Sequence, residues 1–147
     1  MARARRWVLC ALAAVSCAPA AALEFRSIAE PAAVLYDAPS LQAKKLYVMG
    51  AGYPVEVVVA LEAWTKVRDA GGELSWVETR QLSPRRMVLV TVPVAEARAA
   101  AADGAPVVFK AEEGLLLELL EVTGNWVKVG HRDGLSGFVR VNQLWGV

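Results

Sequence analysis

The feature that most constrains the fold of this chain is an internal repeat with an offset of 62 residues. Over the ungapped span 52–82, nine positions carry the same residue as the position 62 further along. Unrelated sequence would give about two, because even common residues each make up roughly 5–10% of a protein. The nine are Gly52, Glu56, Trp64, Lys66, Val67, Gly72, Val77, Gln81 and Leu82. The repeat predicts two tandem copies of one small domain.

Each copy has the pattern of β-strands separated by turns. Val55–Val59 is dominated by β-branched residues, which pack well on a pleated surface. Trp64–Arg68 alternates with a period of two and is followed by the turn signal Gly71–Gly72. Trp126–Val129 repeats the alternation in the second copy. Several short strands at this spacing predict an all-β fold, a small barrel or sandwich in each copy.

Two segments favour a helix by local propensity. Leu115–Leu120 is rich in leucine and Ala95–Ala102 is rich in alanine, and both residues are good helix formers. Both segments align with β-type sequence of the first copy, so we predict a strand and a loop, respectively. Met87–Val92 is a strong strand that either opens the second domain or bridges the two. We place the first domain at residues 23–84 and the second at residues 85–147.

The first 22 residues resemble a targeting signal rather than part of a domain. Met1–Arg6 is basic, Trp7–Val15 is a short apolar run, and Ala18–Ala22 is a stretch of small residues. These are the three parts of a cleavable secretory signal, and the apolar run is too short to span a bilayer. We therefore expect a signal peptide over residues 1–22 and an exported protein, periplasmic or secreted.

Charge and cysteine content narrow the function further. Both cysteines, Cys10 and Cys17, lie in the leader, so the remaining chain has no thiol for a disulfide, a thiolate metal site or a nucleophile. Lipid attachment at Cys17 is the alternative to release, although Ala14 stands where a lipobox usually has leucine. Without the leader, 13 basic and 15 acidic side chains remain. Because no basic face is evident, we expect neither nucleic acid nor membrane insertion as a binding mode.

The paired motifs resemble the bacterial Src-homology-3-like domain family. The resemblance rests on Ala63–Asp69 with Ser75–Val77, and on Asn125–Val129 with Gly137–Val139. The opening motif of the family is present only in fragments, such as Leu35-Tyr36 followed by Pro39. The resemblance implies a strongly bent barrel of five to seven strands in each copy. It also implies an extracytoplasmic accessory domain that binds cell-wall peptides or proteins.

The two repeated tryptophans are the first candidates for a ligand-binding site. Side chains alternate between the two faces of a strand. Trp64 therefore shares the outer face with Lys66, and Trp126 shares it with Lys128. An aromatic ring on a polar face is a suitable platform for a ligand. The alternative is that each tryptophan packs under a loop or at the contact between the copies.

Further aromatic residues extend these candidates, although for Trp76 and Phe138 a structural role near the turn where a barrel closes is favoured over ligand binding. Trp76 and Phe138 follow the same alternation, and Tyr36 could line a groove beside Trp64, although its counterpart is Arg98. Trp145 is expected to attach the C-terminal segment to its domain. The candidate ligand-binding residues are Trp64, Trp126, Tyr36, Lys66, Lys128, Trp76 and Phe138.

The sequence offers little to support catalysis. His131 is the sole histidine and lies in a charged turn, where we expect it to be solvated. We predict no metal site, no cofactor and no enzyme activity. The function that we expect is an exported binding module that recognises a cell-wall stem peptide or a segment of an envelope protein through aromatic grooves. A scaffolding role in a cell-envelope complex is the alternative, and an uncharacterised hydrolase is a remote one.

Overall fold

The computed structural model of the protein describes residues 22–147. Except for Ala22, the expected signal peptide lies outside the described residues, as does the alternative lipid-attachment residue Cys17. Within residues 22–147, no helix is long and apolar enough to cross a membrane.

Copy one, the name used here for residues 23–84, folds into one antiparallel sheet of seven strands. The order of the strands across the sheet is β3-β2-β6-β5-β4-β1-β7. The strands are β1 Phe25–Ile28, β2 Ala32–Tyr36, β3 Lys45–Gly50, β4 Pro54–Ala60, β5 Trp64–Arg68, β6 Leu74–Glu78 and β7 Leu82–Ser83, with a 3-10 turn at Thr79–Gln81.

Copy two, residues 85–147, repeats this sheet in the order β10-β9-β13-β12-β11-β8-β14. Its strands are β8 Met87–Val90, β9 Val94–Arg98, β10 Val107–Glu112, β11 Leu116–Thr123, β12 Trp126–Gly130, β13 Ser136–Arg140 and β14 Leu144–Trp145, with a 3-10 turn at Val141–Gln143. Every strand of copy two begins 62 residues after its counterpart in copy one. The predicted all-β class with two tandem domains is confirmed.

The two segments with helix propensity contain strands and no helix. Leu115–Leu120 is predicted as a strand, and nearly all of it lies in β11. The alanine-rich segment, predicted as a loop, is a loop only from Ala99 onward, because Val94–Arg98 forms β9. Met87–Val90 opens the second sheet, where it pairs with β11 and β14. Cross-strand pairing outweighs the helix propensity of leucine and alanine in both places.

Each sheet encloses its own apolar core. In copy one, Val55, Val67 and Val77 are fully buried on adjacent central strands. Their counterparts in copy two, Leu117, Val129 and Val139, are also fully buried. Because side chains alternate along a strand, the residues directly before and after each of these buried residues point to the outer face. The candidate ligand-binding residues of β5, β6, β12 and β13 are therefore on the outer face of their sheets.

The copies meet along a seam formed by β1 of copy one with β8, β14 and residues 83–86, which we call the connector. The rings of Phe25 and Trp145 pack edge to face, with centroids 5.3 Å apart. The guanidinium of Arg86 lies 5.7 Å from the centre of the Phe25 ring and donates a hydrogen bond of 2.9 Å to the carbonyl of Gly146. Trp145 pairs with Leu89 in its own sheet. It therefore attaches the C-terminal strand to copy one as well as to its own domain, which we did not expect.

Gly146 lies at a close contact between the copies. Its φ is +100°, in the left-handed region that side chains other than glycine rarely adopt. A Cβ atom added there would lie 2.8 Å from the carbonyl oxygen of Met87 and 2.9 Å from Cβ of Pro54 in copy one. Both the backbone conformation and the available space therefore require glycine at this position.

Candidate functional site

The alternation along β5 positions the candidate residues of copy one. Thr65 and Val67 are buried in the core, whereas Trp64 and Lys66 lie half-buried on the opposite face. On the neighbouring strand, Val77 is buried and Trp76 lies on the outer face. This arrangement follows the period of two predicted from the sequence.

The structure brings all four candidates of copy one together. The Tyr36 and Trp64 rings pack edge to face with centroids 5.3 Å apart. Tyr36 is the cross-strand partner of Trp76, and Trp76 is that of Lys66, whose ammonium lies 5.9 Å from the indole. Tyr36 is buried by its neighbours, whereas Trp64 and Trp76 are partly accessible. We call Tyr36, Trp64, Lys66 and Trp76 the Trp64 surface.

Apolar side chains continue this outer face. Val34 of β2 pairs with Val48 of β3, and the Val48 residue is 66% exposed. Leu41, in the loop between these strands, is 58% exposed. Copy one thus presents aromatic and aliphatic side chains to solvent with Lys66 beside them, a composition suited to a partly apolar ligand.

In copy two the equivalent tryptophan is covered. Trp126 is only 8% exposed, because the guanidinium of Arg140 lies over its ring at 4.4 Å. Lys128 lies 6.0 Å from the Phe138 ring, and Arg98 pairs with Phe138. The predicted residues Trp126, Lys128 and Phe138 therefore share an outer face, as their counterparts do. We call these three, with Arg98 and Arg140, the Trp126 surface.

Charged side chains border Trp126 where copy one has mostly apolar ones. Arg98 hydrogen-bonds Glu96, Lys110 lies 3.9 Å from the same carboxylate, and Arg140 hydrogen-bonds Asp103. Together with Trp126 they line a depression of about 440 Å³. The exchanges between the copies are Val34 to Glu96, Tyr36 to Arg98, Leu41 to Asp103, Val48 to Lys110 and Glu78 to Arg140. These exchanges are visible in the sequence as positions at which the two copies differ. Our prediction of the site used the positions at which the copies are identical, and therefore did not find them.

A second feature that the sequence analysis missed is a cleft of about 630 Å³ between the copies. In copy one, Glu56 is held by Arg68 at 2.9 Å. The counterpart of Arg68 is Gly130, so the equivalent Glu118 lacks that partner and is paired with Arg85 of the connector at 2.8 Å. The hydrogen bonds from Arg85 lower the pKa of the Glu118 carboxyl below its ordinary value. Because glycine replaces arginine at position 130, Glu118 pairs with Arg85 instead of with a residue of the neighbouring strand.

His131 also borders this cleft, and its environment differs from our prediction. The imidazole is partly buried rather than solvated, because it packs against Phe109 with ring centroids 5.9 Å apart. Its Nδ1 lies 2.8 Å from a carboxylate oxygen of Asp133. A hydrogen bond from the backbone N–H of Leu135, and next the contact with His131, lower the pKa of Asp133. Among residues 22–147, no three His, Cys, Asp or Glu side chains are close enough to hold a metal ion.

A comparison with protein families identifies both copies. The model of the bacterial SH3 domain matches residues 29–84 and again residues 91–146. The chain belongs to the bacterial SH3 domain family. SH3 domains of this kind are binding modules, and both matched segments contain their copy's Trp surface. The strands β1 and β8 lie just before the matched segments of these bacterial SH3 domains, and both strands contribute to the seam.

Three solved structures are similar to the tandem bacterial SH3 domains at low identity. NlpC2 and NlpC1 from Trichomonas vaginalis are each 14% identical, with TM-scores of 0.39 and 0.40, and the match covers 84% and 86% of this chain and 48% and 47% of theirs. An NlpC/P60 family protein from Bacillus cereus ATCC 10987 is 19% identical, with a TM-score of 0.40, over 83% of this chain and 56% of that one. The chain thus spans about half the length of these proteins. A comparison with curated proteins gives no match.

Proposed function

We propose that this protein is an exported, non-catalytic binding module that holds an extended peptide on the Trp64 surface of copy one. The observation that carries the proposal is the cluster of Tyr36, Trp64 and Trp76 on an outer sheet face beside the exposed Val48. Rigid aromatic rings offer a large contact area at a small cost in side-chain entropy. The membership in a family of binding modules supports the same role.

The proposed ligand is a cell-wall stem peptide or an extended segment of an envelope protein. The basic start, apolar run and small residues of the expected leader support a location outside the cytoplasm, where such ligands occur. The Trp64 surface offers Lys66 for one negative group and apolar contacts from Trp64 and Val48 for the remainder of the ligand. A ligand of mixed apolar and acidic character fits that composition.

The proposal is tested by titrating purified stem peptides, and peptides from envelope proteins, against the protein. Binding is followed by NMR through the indole N–H signal of Trp76, which lies on the Trp64 surface and is kept in both variants below. Trp64→Ala should weaken binding at least about tenfold, the scale of a hot-spot aromatic residue. Trp126→Ala is the matched control, because it removes the equivalent ring from the other copy. Equal loss of affinity in the two variants would contradict the assignment to copy one.

A second candidate function, scaffolding in an envelope complex, is favoured by a different surface. The β4–β5 hairpin exposes Val58, Val59 and Leu61, and the equivalent hairpin exposes Leu120 and Val122. Exposed apolar patches of this kind mark protein contacts. In a pull-down from envelope extract, Val59→Glu, which introduces the copy-two residue, should then abolish capture of a stable partner. Trp64→Ala should leave that capture unchanged.

We propose no catalytic role for the chain. The contacts of His131 with Phe109 and Asp133 are those of a packed turn residue, which supports a structural role. Incubation with purified wall material is the test. Hydrolysis that is lost when a single carboxylate, such as Glu118, is changed to its amide would overturn this part of the proposal.

A further inference from the structure

We propose that the Trp126 surface of copy two is a binding site for a carboxylate, carried by an acidic peptide segment. The site is distinct from the Trp64 surface to which the proposed function refers. Within the Trp126 surface, the site lies in the depression of about 440 Å³, which Trp126, Arg98 and Arg140 line together with Lys110.

The cations of this depression are specific to copy two. Arg98, Lys110 and Arg140 border it, against the two acids Glu96 and Asp103. At the positions equivalent to the three cations, copy one has Tyr36, Val48 and Glu78. The same fold therefore presents cations around Trp126, whereas it presents aromatic and aliphatic side chains around Trp64. A positive excess favours a negatively charged ligand over the apolar one that suits copy one.

Arg140 is arranged to recognise a planar anion. Its guanidinium lies 4.4 Å from the centre of the Trp126 ring, so the indole supports the group by stacking and cation–π attraction. An arginine held in this way keeps its N–H edge available for two parallel hydrogen bonds to one carboxylate. Lysine would supply the charge without this geometry.

Asp103 already occupies part of the site in the way a ligand would. It lies in the loop between β9 and β10, its side chain is 77% exposed, and its carboxylate accepts a hydrogen bond from Arg140. Exposed ion pairs contribute little to stability, so an incoming carboxylate can displace it at a small cost. We therefore interpret Asp103 as an internal substitute for the ligand carboxylate. Its counterpart in copy one is Leu41, which has no such role.

Arg98 is fixed more firmly than Arg140. It donates hydrogen bonds to Glu96 and to the backbone carbonyl of Ala105, the latter at 2.9 Å. Glu96 also lies 3.9 Å from Lys110. These contacts hold Arg98 and Lys110 at the border of the depression. Both remain paired with Glu96 there and add to the positive potential of the site. Arg140 is thus the group that exchanges its carboxylate.

The experiment is an NMR titration of the full chain with the capped peptide acetyl-Gly-Glu-Glu-Gly-amide, at low and at physiological salt. The indole N–H signals of Trp126 and Trp64 report the two surfaces separately. The Trp126 signal should move on titration and the Trp64 signal should not. The Gln-Gln analogue of the peptide is the ligand control, and higher salt should weaken binding because the contacts are largely exposed.

Four variants sharpen the test. Asp103→Asn removes the internal competitor and should tighten binding roughly two- to fivefold, the scale of an exposed ion pair. Arg140→Glu, which introduces the copy-one residue, should abolish the Trp126 response, and Arg140→Lys should weaken it because the paired geometry is lost. Arg132→Glu makes the same change of charge in the turn after β12 and should leave binding unchanged.

The proposal is overturned if the Gln-Gln peptide binds as well as the Glu-Glu peptide, if Asp103→Asn weakens binding, or if Arg132→Glu weakens it as much as Arg140→Glu. Dispersed amide spectra of the Arg140 variants verify that copy two is folded. If Arg140→Glu unfolds the domain, Arg140→Lys and Asp103→Asn decide the outcome. Failure of the Trp64 surface to bind stem peptides would leave the Trp126 response unaffected, so the two proposals fail separately.

Discussion

Lys66 and Val67 are neighbours on β5, yet the ammonium of Lys66 lies over Trp76 whereas Val67 is fully buried. The alternation of a strand alone produces this difference. A single residue step therefore decides whether a side chain acts on the core or on the candidate ligand. The two positions can be changed independently, which makes them a matched pair for mutagenesis.

We predict that Val67→Asp unfolds copy one, whereas Lys66→Asp leaves it folded. Burying an unpaired carboxylate in the core should cost about 3–5 kcal/mol of the free energy of unfolding. The same residue at position 66 faces solvent, so its effect should stay within about 1 kcal/mol. Urea unfolding followed by Trp fluorescence measures both. Similar losses would show that the two side chains do not point to opposite faces.

At the scale of elements, β9 and β13 pack more closely than the sequence suggests. A Cβ atom added to Gly137 of β13 would lie 2.9 Å from Cβ of Ala97 and 3.1 Å from the backbone carbonyl oxygen of Arg98. In copy one the equivalent residue is Ser75, which is buried in the core. The copies thus share their strand register but differ in the detail of this contact.

We predict that Gly137→Ser destabilises copy two by about 1–3 kcal/mol, the usual cost of overpacking a closely packed contact. The residue is the one that copy one has at the same position, so its chemistry is compatible with the fold. Gly104→Ser is the control, because a Cβ atom at Gly104 has no neighbour within 4 Å. Thermal unfolding measures the difference. Equal melting temperatures for the two variants would refute the close approach of β9.

The strands were predictable from the sequence where polar and apolar side chains alternate along them. The Trp64–Arg68 strand and its repeat follow from a period of two, and their buried valines follow with them. The alanine-rich strand β9 was harder to predict, because alanine favours a helix locally and the pairing of this segment with β10 and β13 leaves no mark in its own sequence. The cover of Trp126 could not be predicted, since it depends on Arg140 reaching both the ring and a loop carboxylate.

At the scale of the whole molecule, the seam joins two domains that have the same strand order. Gly146 fits between the Met87 carbonyl and Pro54 only because it lacks a side chain. Trp145 and Phe25 pack beside it, and Arg86 lies over the Phe25 ring and donates a hydrogen bond to the carbonyl of Gly146. The seam therefore depends on close contact at one backbone position as much as on aromatic packing.

We predict that Gly146→Ala opens the seam. Gly134→Ala is the matched control: its φ is +92°, similar to that of Gly146, but its position is open, with no atom within 4 Å of an added Cβ. The backbone strain should cost about 1–2 kcal/mol in both variants, and the clash should add roughly 1–3 kcal/mol for Gly146 alone. Faster rotational tumbling of the two copies, measured by nitrogen-15 relaxation, should appear only in Gly146→Ala. If both variants tumble like the parent, the contact at Gly146 does not hold the copies together.

The seam also gives the pair a direction. Phe25 of copy one receives Trp145 of copy two, but the counterpart of Phe25 is Met87 and that of Trp145 is Ser83. A further unit that tried to stack on copy two in the same way would meet a thioether instead of a phenyl ring, and copy one could offer only a hydroxymethyl group to a unit before it. Head-to-tail contacts that can repeat generate open filaments. Because the two copies differ at these two positions, neither outer end of the pair carries the ring that would repeat the Phe25–Trp145 contact.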